Sequence, residues 1–173
     1  MTTITALRTR ALALTTAVAA SPTSTSAAIV VIRLYVGLIF AGEGLLKFTR
    51  PETLGTGRFA KVGIPDAALL AYFDGTLEIA CGALILVGLY TKRAVIPMIA
   101  DMVGALALTK VPLLWGGAAL YPAERGLLDF FHEGRLEIAM LCGSVFLLVA
   151  GAGTLSLDAR RCARPLERPS STV

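Results

Sequence analysis

Glu43, Lys47, Asp74, Glu78, Asp101, Arg135 and Glu137 stand inside or at the borders of strongly apolar stretches, where ionisable side chains are rare. A charge at the centre of a bilayer costs about 2.5 to 3.5 kcal/mol, so such groups turn towards one another and away from lipid. Glu43 and Lys47 are four residues apart, and so are Asp74 and Glu78, which puts each pair on one side of a helix. The five acids outnumber the cations Lys47 and Arg135, so some carboxyl groups are expected to be protonated or to share a proton. Such a group can carry protons or hydrogen-bond a carbonyl. Glu78, Asp101 and Glu137 are therefore the candidate catalytic residues of one internal cluster, with Lys47 or Arg135 as counter-charge. Glu43, Lys47, Asp74, Arg135 and His132 are the candidate ligand-binding residues around them. An ion-pair lattice that only fixes helix register is the competing reading.

The elements that carry these residues must be membrane helices. Of 173 residues, 55% are hydrophobic and the mean hydropathy is +0.74, too apolar for a water-exposed surface. A crossing takes roughly 20 mainly apolar residues, so the chain holds about four with short loops, and the fold class is an all-α integral membrane four-helix bundle. The helices are predicted over Ala27 to Phe48, Asp66 to Tyr90, Lys92 to Thr109 and Glu133 to Ala152. Asp66 is the expected N-cap of the second, and Gly151-Ala-Gly153 stops the fourth. The predicted division is an N-terminal arm at 1–26, a membrane domain at 27–157 and a basic tail at 158–173.

The arm has Arg8 and Arg10 before an Ala-rich apolar run, in the manner of a signal peptide. Cleavage there would put the basic tail of Arg160, Arg161, Arg164 and Arg168 outside, against the positive-inside rule. An uncleaved cytoplasmic arm is the preferred reading, with Ser21 to Ser26 as polar linker. Both termini and the Lys92-Arg93 turn then face the cytoplasm of a bacterial inner membrane, and the acids gather in the outer half of a multi-pass bundle. Arg33, near the opposite end, is expected to snorkel to lipid phosphate.

Two outer loops are more than connectors. Arg58 to Pro65 suits a short element on the membrane surface, and Trp115, Tyr121, Phe130 and Phe131 suit an interfacial aromatic cover. The sole histidine, His132, titrates near neutral pH and suits a gate or proton entry point, but alone it makes no metal or haem pair. Cys81, Cys142 and Cys162 have no zinc-type or CxxC spacing, and no metal site is expected. The basic residues lie mostly outside the apolar runs, which fits membrane orientation and not nucleic-acid binding.

Arg33 to Phe40 leading to Gly44-Leu-Leu-Lys47, then Gly63-Ile-Pro65, then Leu77-Glu-Ile-Ala-Cys-Gly82 through Thr91-Lys92-Arg93, and the closing Gly151 to Asp158, together resemble the DoxX family of small bacterial membrane proteins. The likeness covers about Arg33 to Asp158. Lys47, Glu78 and Glu137 match the family's polar positions, and Asp101 matches more weakly. Glu43-Gly44 stands where the family often has His-Gly. The resemblance implies membrane redox work, by likeness to the small subunit of thiosulfate:quinone oxidoreductase and to partners of detoxifying oxidoreductases. No haem-ligand pair or flavin fingerprint is present in the sequence, so a soluble or membrane oxidoreductase partner is expected, with a quinone or similar lipid-soluble molecule as ligand and no covalent cofactor. A proton-coupled small-molecule transporter or lipid-binding protein, more naturally a homodimer, and a scaffold for soluble partners are the alternatives.

The orientation is testable through Cys162. An impermeant thiol reagent should label it in lysed cells and spare it in intact ones; equal labelling of both would reverse the topology.

Overall fold

The apolar stretches fold into four long helices, and a computed structural model of the chain describes residues 22–162. Helix α1 is Pro22–Thr49. Two short helices follow, α2 at Pro51–Leu54 and α3 at Thr56–Val62, before α4 at Ala67–Val87. Helix α5 is Thr91–Ala105 and runs on through a π-helical turn at Leu106–Lys110 and a 3-10 turn at Val111–Leu114. Helix α6 is Leu127–Ala150, and a short α7, Leu157–Cys162, ends the described residues. The predicted arm over 1–21 and the tail beyond Cys162 lie outside them.

Three stretches, Ser26–Thr49, Ala67–Val87 and Thr91–Leu114, are long and apolar enough to cross a membrane. Helix α6 matches them in length, with 24 residues, but carries Asp129, Glu133, Arg135 and Glu137 in its first half. Leu38, Ile96, Val103 and Val149 project outward, as lipid-facing side chains must. Val36, Phe40, Ile85, Val95, Met98, Met140 and Leu147 fill the space between the helices.

Helices α1 and α4 pack most extensively, α5 and α6 form the second close pair, and the contacts between pairs are sparser. Glycine explains the first pairing. Gly37 and Gly44 are two turns apart on α1, as are Gly75 and Gly82 on α4, and the antiparallel helices match them crosswise. A Cβ on Gly44 would lie 2.6 Å from the Gly75 carbonyl oxygen, and one on Gly82 would lie 2.8 Å from the Gly37 carbonyl oxygen. Backbone therefore rests on backbone, as small residues permit where apolar burial alone does not drive helix association.

The end of the bundle where α7 lies, the tail end, is closed by Arg33. Its side chain is only 5% exposed, and it does not snorkel to lipid as expected. Its guanidinium donates to the carbonyl oxygens of Ile85 at 3.1 Å, Leu86 at 3.0 Å, Ala152 at 2.8 Å and Leu155 at 2.8 Å. Ile85 and Leu86 lie in the last turn of α4, where the Ile85 carbonyl also accepts from the Gly88 N–H, and Ala152 and Leu155 lie beyond the end of α6; a planar five-donor group can serve several such carbonyls at once. Asp158 completes the closure by accepting the N–H groups of Tyr90 at 2.8 Å and Thr91 at 3.1 Å, at the start of α5.

Several boundaries differ from the predicted ones. Pro22 opens α1, so most of the expected Ser21 to Ser26 linker is helix; proline suits a first turn because its missing donor would be unused there. Asp66 precedes α4 in a left-handed conformation with φ of 48° and makes no side-chain cap. Helix α6 begins at Leu127, not Glu133, because Gly126 donates to the Leu113 carbonyl at 2.8 Å and Asp129 accepts the Arg125 N–H at 2.8 Å. Gly151, with φ of 78°, does stop α6.

The glycine seam predicts a contrast between neighbours. Gly44→Val or Gly82→Val should lower stability by about 1–3 kcal/mol through forced separation of α1 and α4. Gly42 and Gly104, where an added Cβ meets nothing within 4 Å, should accept alanine with a gain of about 0.5–1 kcal/mol. Thermal unfolding in mild detergent reads both, and equal effects at Gly44 and Gly42 would remove the seam.

Candidate functional site

Opposite the tail end, where the two long loops lie, the helix pairs part around a cavity of about 1240 Å³. Helix α1 presents Lys47 in its last turn, on the face that the glycines press against α4. Its ammonium donates to Asp74 Oδ2 at 2.6 Å and also to Glu78 Oε2. Asp74 and Glu78 are one turn apart on α4, so one cation meets both. Glu78 is nearly inaccessible, with 2% exposure, whereas Asp74 is half-buried. Asp101 reaches the same group from α5, and carboxylate oxygens of Asp74, Glu78 and Asp101 all lie within 4.8 Å of one another. The Lys47 ammonium is already bonded to two of the three, so the cluster is a carboxyl site with its own tethered cation.

The second pair of helices carries a second polar centre, which sequence reasoning did not single out. Lys110 ends the π-helical turn and is only 2% exposed. It donates to the Tyr121 hydroxyl at 2.5 Å and lies 3.5 Å from Glu137 Oε1. A π turn adds a residue to the helical repeat and redirects the side chains beyond it, here turning Lys110 inward. The third helix was expected to end at Thr109, so Lys110 fell just outside it; its proximity to that expected end was the available signal.

The predicted site residues therefore divide. Glu78, Asp101, Asp74 and Lys47 do come together. Glu137 lines the same cavity but forms its ion pair with Lys110 on the second helix pair. Arg135 is not the internal counter-charge: it is exposed at the cavity wall and donates to the His132 carbonyl of its own helix. The distance from Lys110 to Glu137 shows which cation the bundle uses in its place. Glu43 borders the cavity, while His132 lies outside its lining with a 70% exposed side chain, 3.7 Å from Glu133.

Cover comes from the first long loop more than from the second. Arg58, Phe59 and Val62 of α3 and the following Ile64 and Pro65 line the cavity, in keeping with the surface element expected there. Of the aromatic loop, Tyr121 faces the cavity, whereas Trp115 is 60% exposed and Phe131 54%. Those two suit anchoring at a membrane interface.

Loss of the Lys47 ammonium would leave Asp74 and Glu78 facing each other without a cation. Lys47→Met should lower stability by about 3–5 kcal/mol near neutral pH, the usual result of breaking a buried pair from one side. Protonation of the stranded carboxylates should shrink the deficit relative to wild type as pH falls. Unfolding curves of both proteins across a pH series check this, and a deficit that is absent, or that grows on acidification, would contradict the buried pair.

The comparisons with known proteins agree with this architecture. The DoxX family model matches residues 28–111, which hold Lys47, Asp74, Glu78, Asp101 and Lys110. The uncharacterized membrane protein Rv3486 of Mycobacterium tuberculosis (strain ATCC 25618 / H37Rv) is 46% identical over 132 residues, covering 76% of this chain and 80% of that protein. No solved structure matches the chain. An all-helical membrane chain with this match and this relative belongs to the DoxX family.

Proposed function

We propose that this chain is the membrane subunit of a redox complex, and that its cavity binds a small hydrophobic ligand with a polar head, a quinone being the expected chemistry. The observation that carries the reading is one cavity with apolar walls and two charged centres. Phe40, Phe59, Ile64, Leu70 and Phe73 offer apolar surface, while Lys47 with its carboxyl partners and Lys110 with Glu137 offer polar contacts. Ligand pockets in general are mostly apolar with a few convergent polar groups that orient the ligand.

A quinone supplies two-electron chemistry coupled to protons. The residues of this chain bind and orient it and hold protons: Glu78, almost fully buried beside Asp74 and Asp101, is suited to take up or release a proton at its carboxyl oxygens. Phe59 and Pro65 limit water from the loop side. Electrons come from a partner oxidoreductase or pass directly between bound substrates, since the only histidine is exposed and the sequence has no CxxC.

In this reading α6 is the fourth crossing. Its 24 residues span about 36 Å, and Glu133, Arg135 and Glu137 border the cavity. The tail end faces the cytoplasm, because the exposed Lys92, Arg93, Arg160 and Arg161 collect there. The cavity then lies in the outer half of a bacterial inner membrane.

Glu78→Gln keeps the shape and can still accept from Lys47, but it cannot exchange a proton. The variant should fold and retain co-purifying ligand, read by mass spectrometry of the protein in mild detergent. Proton-coupled turnover in membranes that contain the natural partner should be lost. Wild-type turnover at matched expression would take Glu78 out of the mechanism.

A further inference from the structure

At the tail end, far from the cavity, the turn between α4 and α5 meets the short α7. Asp158 of α7 accepts from the main-chain N–H groups of Tyr90 at 2.8 Å and Thr91 at 3.1 Å, and its own N–H donates to the Gly88 carbonyl at 2.9 Å. This clamp sets two bases from distant parts of the chain around one exposed ring. The Arg161 guanidinium lies 5.1 Å from the centre of the Tyr90 ring, and the Arg93 guanidinium lies 5.5 Å from it. A solvated ring attracts a cation only weakly, so it does not offset the meeting of two like charges. Among the described residues no carboxylate pairs with Arg93, Arg160 or Arg161, and the Asp158 carboxylate is occupied by main-chain donors.

Beside these bases the chain leaves an apolar groove of about 290 Å³. Val87 at the end of α4, Leu155 before α7 and Leu157 at its start line the groove, and all three are exposed; Arg160 stands at the same groove. Val87 ends a helix long and apolar enough to cross a membrane, so the groove lies where hydrocarbon gives way to headgroups.

We infer that the tail end is a binding site for an anionic phospholipid with two phosphates, a lipid of the cardiolipin class. Its acyl chains lie along Val87, Leu155 and Leu157, and its phosphates meet Arg93, Arg160 and Arg161. Guanidinium groups suit phosphate, and basic pockets at the ends of membrane helices hold such headgroups. Three of them in one place exceed the single charge of an ordinary anionic phospholipid. The joining of apolar groove and clustered bases favours a lipid over a soluble acidic partner, which would meet the bases and leave the groove at the hydrocarbon edge empty. This site is separate from the cavity and does not depend on what the cavity binds.

The test is native mass spectrometry of the purified full-length protein in mild detergent, titrated with cardiolipin, with phosphatidylglycerol at matched phosphate, or with phosphatidylcholine. A base at an anionic surface is worth roughly a factor of five, so cardiolipin should bind at least about five-fold more tightly than phosphatidylglycerol, with phosphatidylcholine weaker still. In the double variant Arg93→Gln with Arg161→Gln, cardiolipin affinity should fall roughly 25-fold. Both side chains are exposed and the Asp158 clamp is untouched, so the unfolding temperature without added lipid should stay near that of wild type. Arg50→Gln with Lys61→Gln removes the same charge from exposed positions at the other end and should leave the affinity unchanged.

Equal binding of phosphatidylglycerol, retention of cardiolipin by the Arg93 and Arg161 variant, or an equal loss in the two double variants would overturn the inference. So would a polyglutamate peptide that binds the wild-type protein in cardiolipin-containing nanodiscs and loses that binding in the Arg93 and Arg161 variant, since the face would then serve a soluble acidic partner.

Discussion

The contact of backbone with backbone between α1 and α4 is the constraint on which the site depends. Gly37 against Gly82 and Gly44 against Gly75 bring the helices to a separation that side chains would prevent. Lys47 follows Gly44 by less than a turn, and Asp74 and Glu78 flank Gly75, so the seam fixes the ammonium against both carboxyl groups. Burial of an ion pair is tolerated only with close geometry and further bonds to the remaining donors and acceptors. Here the packing supplies the geometry, and the charges follow from it.

The two-pair organisation also explains why the polar groups do not collapse into one lattice. Each tight pair has its own lysine, Lys47 between α1 and α4 and Lys110 beside α6. Asp101 crosses the gap, coming from the second pair to the carboxyl group of the first. The less intimate contact between pairs leaves room for the cavity, whose far wall is set by α3 and the Gly63-Ile-Pro65 turn. Gly63, in the left-handed region with φ of 85°, ends α3 and turns the chain towards α4.

Much of this was legible from charges in apolar runs. A lysine one residue before the predicted end of one helix and an i,i+4 acid pair two turns into the next could be matched by depth, and Lys47 does meet Asp74 and Glu78. What escaped was decided by local backbone geometry and by contacts distant in sequence. Lys110 falls just past the predicted end of the third helix at Thr109 because a π turn cannot be read from hydropathy, and without it Lys47 and Arg135 were the counter-charges in view. Arg33 looked free to snorkel because its acceptors are main-chain carbonyls, and every sequence has those at every residue. The open acceptors of helix ends become specific only once the helices are placed beside one another.

The closure at Arg33 ties the fold to the order in which the chain is made. Arg33 emerges with the first helix, yet two of its four acceptors, Ala152 and Leu155, lie beyond the last long one. Asp158, which steadies the start of α5, is later still. During synthesis the guanidinium must therefore remain hydrated at the membrane surface, since an unpaired charge does not settle among lipid tails. The tail end can lock only after every long helix has left the ribosome, so its closure follows the making of the whole bundle. A chain halted before Ala152 would contain every group of the cavity and still leave Arg33 with only its two acceptors on α4.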